Sequence, residues 1–329
     1  MSCKISRRNF LKVSGCLMLG SAVSGLLCGA GDPAEGGAAV PTVGGLRVNY
    51  VRAFAKDYGN NFRQMEIHLN IENTNSSAAY FNQENFVPLL GNSRYGGERT
   101  FSGLNKWNGS RYVQDVQLKA GETQTISYIC KLQPEDLSAG LRAVDPAPWS
   151  LTLLYGGQRQ TFTGYLLPDR YSTEYTAGPV ESTVLPSVGG IVLSGFWSSD
   201  LLTQVPSYNL PIYFTMQNSN DTAAQLPFRG VAENGDVLDN FTIRMDGQPR
   251  NHYRLYACTH TSRFTPEEKG HLETLQPQEI CFAETGISLT KDEYSTLYTT
   301  GHTLEITFSY GDESVTVRGN TRTGIFEAI

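Results

Sequence analysis

Apolar and polar side chains alternate along Met65-Glu-Ile-His-Leu-Asn-Ile71, with Met65, Ile67, Leu69 and Ile71 in one phase. A period of two predicts a strand with one face buried and one face wet. The run stops at Asn73-Thr-Asn-Ser-Ser77, a cluster of turn formers. The pattern returns at Leu210-Pro-Ile-Tyr-Phe-Thr-Met216, where Leu210, Ile212, Phe214 and Met216 alternate before Asn218-Ser-Asn-Asp-Thr222. The two runs lie 145 positions apart without a gap, so the chain holds a duplication.

The repeat extends in both directions. Gly44-Gly-Leu-Arg-Val-Asn-Tyr50 is answered by Gly189-Gly-Ile-Val-Leu-Ser-Gly195 at the same offset. Leu118-Lys-Ala-Gly-Glu122 is answered by Leu275-Gln-Pro-Gln-Glu279 at 157, with Gln278 standing where the first copy has Gly121. Leu151-Thr-Leu-Leu-Tyr-Gly156 and Phe162-Thr-Gly164 return at 155 as Ile306-Thr-Phe-Ser-Tyr-Gly311 and Val317-Arg-Gly319. Each closing pair reads as a hairpin, and Asn234-Gly235 predicts another across 230–238. Helix is scarce: Thr290-Lys-Asp-Glu293 fits a capping box, and Pro134-Glu-Asp-Leu137 falls at the matching place in the first copy.

These elements predict an all-β fold of two tandem β-sandwiches, residues 44–167 and 189–329, with short connecting helices. Residues 168–188 read as a linker, because prolines and hydroxyls replace any sustained pattern. A chain of 329 residues suits two domains of this size.

The first thirty residues are different. Ser6-Arg-Arg-Asn-Phe-Leu-Lys12 precedes a weakly apolar run, Val13 to Leu27, too short for a membrane span. The motif resembles the twin-arginine export signal, with Arg7 and Arg8 as its pair. The resemblance implies a bacterial protein that folds in the cytoplasm and is exported folded, to the cell surface or the medium. Cys28-Gly-Ala30 suits cleavage after Ala30; lipidation at Cys28 is the alternative, disfavoured by bulky Leu27 and by Gly25. Residues 31–43 read as a flexible leader.

Charge narrows the partners. The whole chain carries −6; without Lys4, Arg7, Arg8 and Lys12 it has 22 bases against 32 acids, or −10. An acidic surface repels nucleic acid and anionic lipid.

The strand ending in Asn73-x-Asn75 or Asn218-x-Asn220, the turn Leu118 to Glu122, and the hairpin Leu151 to Gly156 together resemble immunoglobulin-like domains. The likeness is to domains of unknown function found in surface lipoproteins of Gram-positive bacteria. It covers most of 44–165 and 189–320 and implies no catalytic residues or cofactor.

Chemistry-bearing residues are few. The shift from 145 to 157 means that the second copy gained 12 residues between 224 and 274. This insert holds Cys258, His260 and His271, and Cys281 follows it. Cys258 and Cys281 could pair as a disulfide after export, join His260 and His271 as a soft-metal site, or stay as thiols. Cys130 aligns with Ile287 and reads as a small buried hydrophobe. Neither a Gly-x-Ser-x-Gly elbow, a His-Glu-x-x-His helix nor a phosphate loop occurs. His68 lies in the outward phase of its strand, opposite in the repeat to Tyr213, and reads as a surface residue. Trp149 aligns with Leu304 as core, whereas Trp107 and Trp197 sit in polar turns where a ring could stack on a ligand. The expectation is a non-catalytic binding protein of the cell envelope with a protein or glycan partner. Two alternatives stay open: a metal or enzyme site around Cys258 and His260, and a structural spacer.

Overall fold

The structure, a computed structural model, describes residues 40–57, 63–81, 85–90, 99–103, 116–132, 147–167, 170–198, 202–204, 207–226, 240–252, 256–258, 270–271, 274–297 and 300–329. The fold is all-β and sandwich-like.

The first copy runs through β1 (Thr42–Val43), β2 (Leu46–Asp57), β3 (Arg63–Asn73), β4 (Ala79–Phe81), β5 (Phe86–Leu90) and β6 (Arg99–Gly103). It continues through β7 (Val116–Leu118), β8 (Thr123–Leu132), β9 (Ala147–Tyr155), β10 (Gln158–Leu166), β11 (Tyr175–Ala177) and β12 (Glu181–Ser182). One sheet has the order β1-β2-β3-β8-β6; the facing sheet has β11-β10-β9-β5, with β12 also on β10. Met65, Ile67, Leu69 and Ile71 from the first sheet and Leu151, Leu153 and Phe162 from the second are buried in one core. The alternation therefore does what a period of two requires.

The second copy comprises β13 (Ile191–Ser198), β14 (Leu202–Gln204), β15 (Ser207–Asn218), β16 (Ala224–Gln225), β17 (Phe241–Met245), β18 (Gln248–Arg250) and β19 (Tyr256–Cys258). Then come β20 (Gly270–His271), β21 (Thr274–Leu275), β22 (Ile280–Leu289), α1 (Lys291–Thr296), β23 (Thr303–Tyr310), β24 (Glu313–Asn320) and β25 (Phe326–Ala328). Its sheets, β13-β15-β22-β19-β20 and β18-β17-β23-β24-β25, repeat the first pair. Leu210, Ile212, Phe214 and Met216 are buried in a second core of its own.

The motif residues carry the repeat at atomic level. The Asn73 side-chain amide donates to the carbonyls of Ser77 and Leu118 at 2.8 and 3.0 Å; that of Asn218 donates to Thr222 and Leu275 at 2.8 and 2.9 Å. Asn75 and Asn220 donate to the carbonyls of Gly44 and Gly189. Gln158 and Glu313 accept from the amides of those same glycines at 2.8 and 2.7 Å. Gly45 and Gly190 have positive φ and lie so close to Asn75 and Asn220 that a Cβ would fall about 2 Å from each amide. The Asn-x-Asn ending is a structural knot, and its recurrence needs no ligand.

The described part of the stretch 168–188, residues 170–188, is hydrogen-bonded along both copies rather than crossing free. Ser172 bridges to Ala53, β11 and β12 pair with β10, and Leu185 donates to Leu193 of β13. The pairing of β11 with Gly164 is answered by that of β25 with Gly319, so the duplicated unit reaches into this stretch.

α1 forms where the capping box stands. The Thr290 hydroxyl accepts from the Glu293 amide, and the Glu293 carboxylate accepts from the Thr290 amide. The proposed helix at 134–137 and the hairpin at 230–238 lie outside the described residues.

His68 is a correction. Its phase is outward as expected, yet it is 4% exposed. Residues 171–172 cover it on the outer face of the first sheet. Its duplicate Tyr213 is buried too, under the other copy.

Candidate functional site

The residues singled out by sequence fall in different places. Arg7, Arg8, Cys28, Trp107 and His260 lie outside the described residues. Trp197 is in β13, paired with Tyr213 of β15. Trp149 is in the first core. Cys281 is buried in the second core, in register with Met216. Cys258 stands opposite Phe282, one position out of step with Cys281, and His271 stands opposite Tyr256. Among the described residues no group of three His, Cys, Asp or Glu side chains is arranged to hold a metal ion.

Two polar clusters that the alternation does not announce bring titratable groups together. In the first, Arg52 reaches Nδ1 of His68 at 3.0 Å, and Nε2 of His68 contacts Glu66. A guanidinium can only donate, so Nδ1 accepts and the ring proton sits on Nε2, donated to the carboxylate. Tyr171 closes the cluster, with Arg52 4.4 Å over its ring and its hydroxyl 3.3 Å from Nε2. Burial, and then the Glu66 charge, push the Tyr171 phenol up to about 12 against the opposing pull of Arg52. Both imidazole nitrogens are engaged, so no lone pair is left for general-base chemistry.

The second cluster is a row. Asp246 Oδ2 lies 2.7 Å from His302 Nδ1, and His302 Nε2 lies 2.9 Å from Thr296 Oγ1. The order carboxylate, imidazole, hydroxyl is that of a nucleophilic triad. The hydroxyl, however, is in the last turn of α1 and donates to the Asp292 carbonyl at 3.0 Å. Asp246 also accepts from the Thr303 amide at 2.9 Å. Partial burial raises its carboxyl, but the hydrogen bonds from His302 and Thr303 and the charge of Arg250 outweigh this and hold it below its ordinary value. The row ties α1 to the β17–β18 turn. Its one trace in the sequence is Asp246-Gly247, a tight-turn dipeptide.

The copies dock on each other. Val87 and Leu154, on the outer face of the second sheet of copy one, are buried with Tyr213 on the outer face of β15, and Ile325 packs against them. Arg159 bridges Glu181 and Glu327, each at 2.7 Å, across the same seam. Beside the seam is a cleft of about 390 Å³ between the β9–β10 turn and β13–β15, with Val184 and Ile280 among its lining residues. Several of its polar side chains are already bonded within the protein. Asn85 donates to Leu154, Gln158 accepts from Gly44, and Ser194 and Thr215 bond to each other. Leu154, Val184, Val192, Met216 and Ile280 make much of its remaining wall apolar, the character of a packing seam.

No protein-family model and no curated protein matches this chain.

Proposed function

We propose that the chain is an exported binding protein of the bacterial envelope that works without catalysis, its partner a protein or a glycan. The observation that carries this reading is that both titratable clusters are closed on themselves. His68 has each ring nitrogen engaged, and the hydroxyl that His302 faces is bonded to its own helix. Two docked sandwiches offer a broad, rigid surface, the usual business of such folds being recognition by loops and faces. The facing antiparallel sheets of each copy also support the immunoglobulin-like resemblance.

The test is saturable binding of the labelled mature protein to bacterial envelopes, displaced by unlabelled protein. Binding that never saturates would sink it. A metal or enzyme site around Cys258 and His260 is the competing class, and metal analysis decides it: a stoichiometric metal lost on Cys258→Ser overturns the plain binding reading. Export by the twin-arginine route predicts that Arg7→Lys with Arg8→Lys retains the precursor in the cytoplasm. Unchanged export would mean another route.

A further inference from the structure

The outer face of the second sheet of copy one carries a row that its duplicate does not share. Register aligns Leu89, Ser150, Thr163 and Thr176 side by side across β5, β9, β10 and β11. The same row in copy two, across β17, β23, β24 and β25, reads Arg244, Glu305, Arg318 and Glu327. There Arg318 pairs with Glu305 at 2.7 Å, an alternating ladder of the kind expected on a solvated face. One copy therefore serves as the control for the other: the same fold holds the row charged in one and uncharged in the other.

The uncharged row lines an open groove of about 710 Å³, within the size range of small-molecule sites. Tyr165, 57% exposed, stands beside the row, and Glu174 and Thr323 of copy two also line the groove. Asn320 occupies the place of Tyr165 in the duplicate. Among the described residues no hydrogen bond engages the hydroxyls of Ser150, Thr163, Thr176 or Tyr165, nor the Glu174 carboxylate. In the cleft beside the seam, by contrast, Asn85, Gln158, Ser194 and Thr215 are all bonded. Trp149, whose side chain belongs to the first core beneath this face, has a buried indole N–H with no partner among the described residues. It lies against Gly164, where a Cβ would come within 2.9 Å of that nitrogen.

These groups select a ligand class. β9 lies between β5 and β10, and β10 between β9 and β11 through Phe162–Gly164, so the main-chain groups of these two central strands are already paired. An extended peptide cannot add itself between them as a strand. Recognition falls to hydroxyls that both donate and accept, one carboxylate that accepts, and an exposed aromatic ring. Among the residues that line the groove, Glu174 alone carries a charge, which disfavours anions. A pyranose presents an apolar ring face and a rim of hydroxyls, and it fits this set. We propose that this groove binds a neutral polysaccharide, with Tyr165 stacking on a sugar ring and Ser150, Thr163, Thr176 and Glu174 bonding its hydroxyls. The proposal rests on the reading of the chain as a binding protein and names its partner.

The experiment is co-sedimentation of the mature protein with four neutral polysaccharides, cellulose, chitin, amylose and mannan. Affinity for whichever is bound is then compared for Tyr165→Ala, Tyr165→Phe and the double change Ser150→Glu with Thr163→Arg, which installs the ion pair of the duplicate. Wild-type binding is expected to fall roughly tenfold in Tyr165→Ala, to survive in Tyr165→Phe, and to vanish in the double variant. These are surface changes, and unfolding midpoints should stay close to wild type. Binding that ignores Tyr165 and the double change places the glycan elsewhere and overturns the groove while leaving the binding reading intact. No binding to any of the four overturns the glycan proposal, and saturable envelope binding then still reports on the broader reading.

Discussion

The side-chain amide of Asn73 is within 3.1 Å of three carbonyls, those of Ser77, Leu118 and Lys119, and so closes the gap between two strand ends that no ladder joins. Removing it would strand buried acceptors, at about 1–3 kcal/mol. The next turn shows the copies diverging at one residue. Gly121 has φ of 71° and Gln278, its duplicate, has 61°. For a residue with a Cβ that conformation costs roughly 1–2 kcal/mol. Glycine in its place frees the unfolded chain, which costs about 0.4–1 kcal/mol in the other direction. The strain is the larger, so Gln278→Gly should raise stability by roughly 0.5 kcal/mol in urea unfolding. Gly121→Gln should lower it. A loss in Gln278→Gly would show that the bond from Gln278 to the Ser219 carbonyl, at 3.3 Å, outweighs the backbone cost.

At the scale of elements, α1 and the β17–β18 hairpin are held by two carboxylates. Partial burial pushes Glu293 up, but the Thr290 amide and hydroxyl and the Arg250 guanidinium hold it below its ordinary value, as His302 and Thr303 do for Asp246. A carboxyl depressed in the folded state gives stability that is complete above its unfolded value and is lost as pH falls through its folded one. Stability should therefore fall below the ordinary values of 4.5 and 3.8. Asp246→Asn with Glu293→Gln should start less stable at neutral pH and lose less on acidification, as thermal midpoints at pH 6 and pH 3 would show. An unchanged acid slope would mean that other carboxyls govern it. The helix was legible because a capping box is a local signal, four residues long. The strands were legible because Met65 to Ile71 and Leu210 to Met216 alternate without a break. His68 and Tyr213 were not, since alternation states which face a residue takes and not what arrives to cover that face. For one the cover is Tyr171, 103 positions on; for the other it is the opposite copy. The uncharged row was equally out of reach, because Leu89, Ser150, Thr163 and Thr176 become neighbours only through register.

At the scale of the molecule, the way the copies sit together follows from where they differ. Val87 and Leu154 are buried at the seam, and their duplicates by register are Thr242 and Ser309, polar residues on a face that neither copy covers. The apolar pair is thus what docking requires, and Tyr213 from β15 completes it. Restoring the residues of the duplicate, Val87→Thr with Leu154→Ser, removes apolar contact of about 1.5–3 kcal/mol per side chain when fully buried. An interface between domains of one chain is modest enough for that to matter. Arg159 adds less, because Glu181 and Glu327 are largely exposed and such pairs give about 0–1 kcal/mol. The double change should broaden the distance between spin labels placed one on each copy, whereas Arg159→Ala should broaden it only slightly. Both cores lie away from these positions, so far-ultraviolet circular dichroism should not change. A distance that stays sharp in the double variant would mean that the strand pairing of residues 170–188 along both copies holds them by itself. Loss of the groove between Tyr165 and Thr323 should accompany the broadening, and with it any glycan binding that depends on both copies.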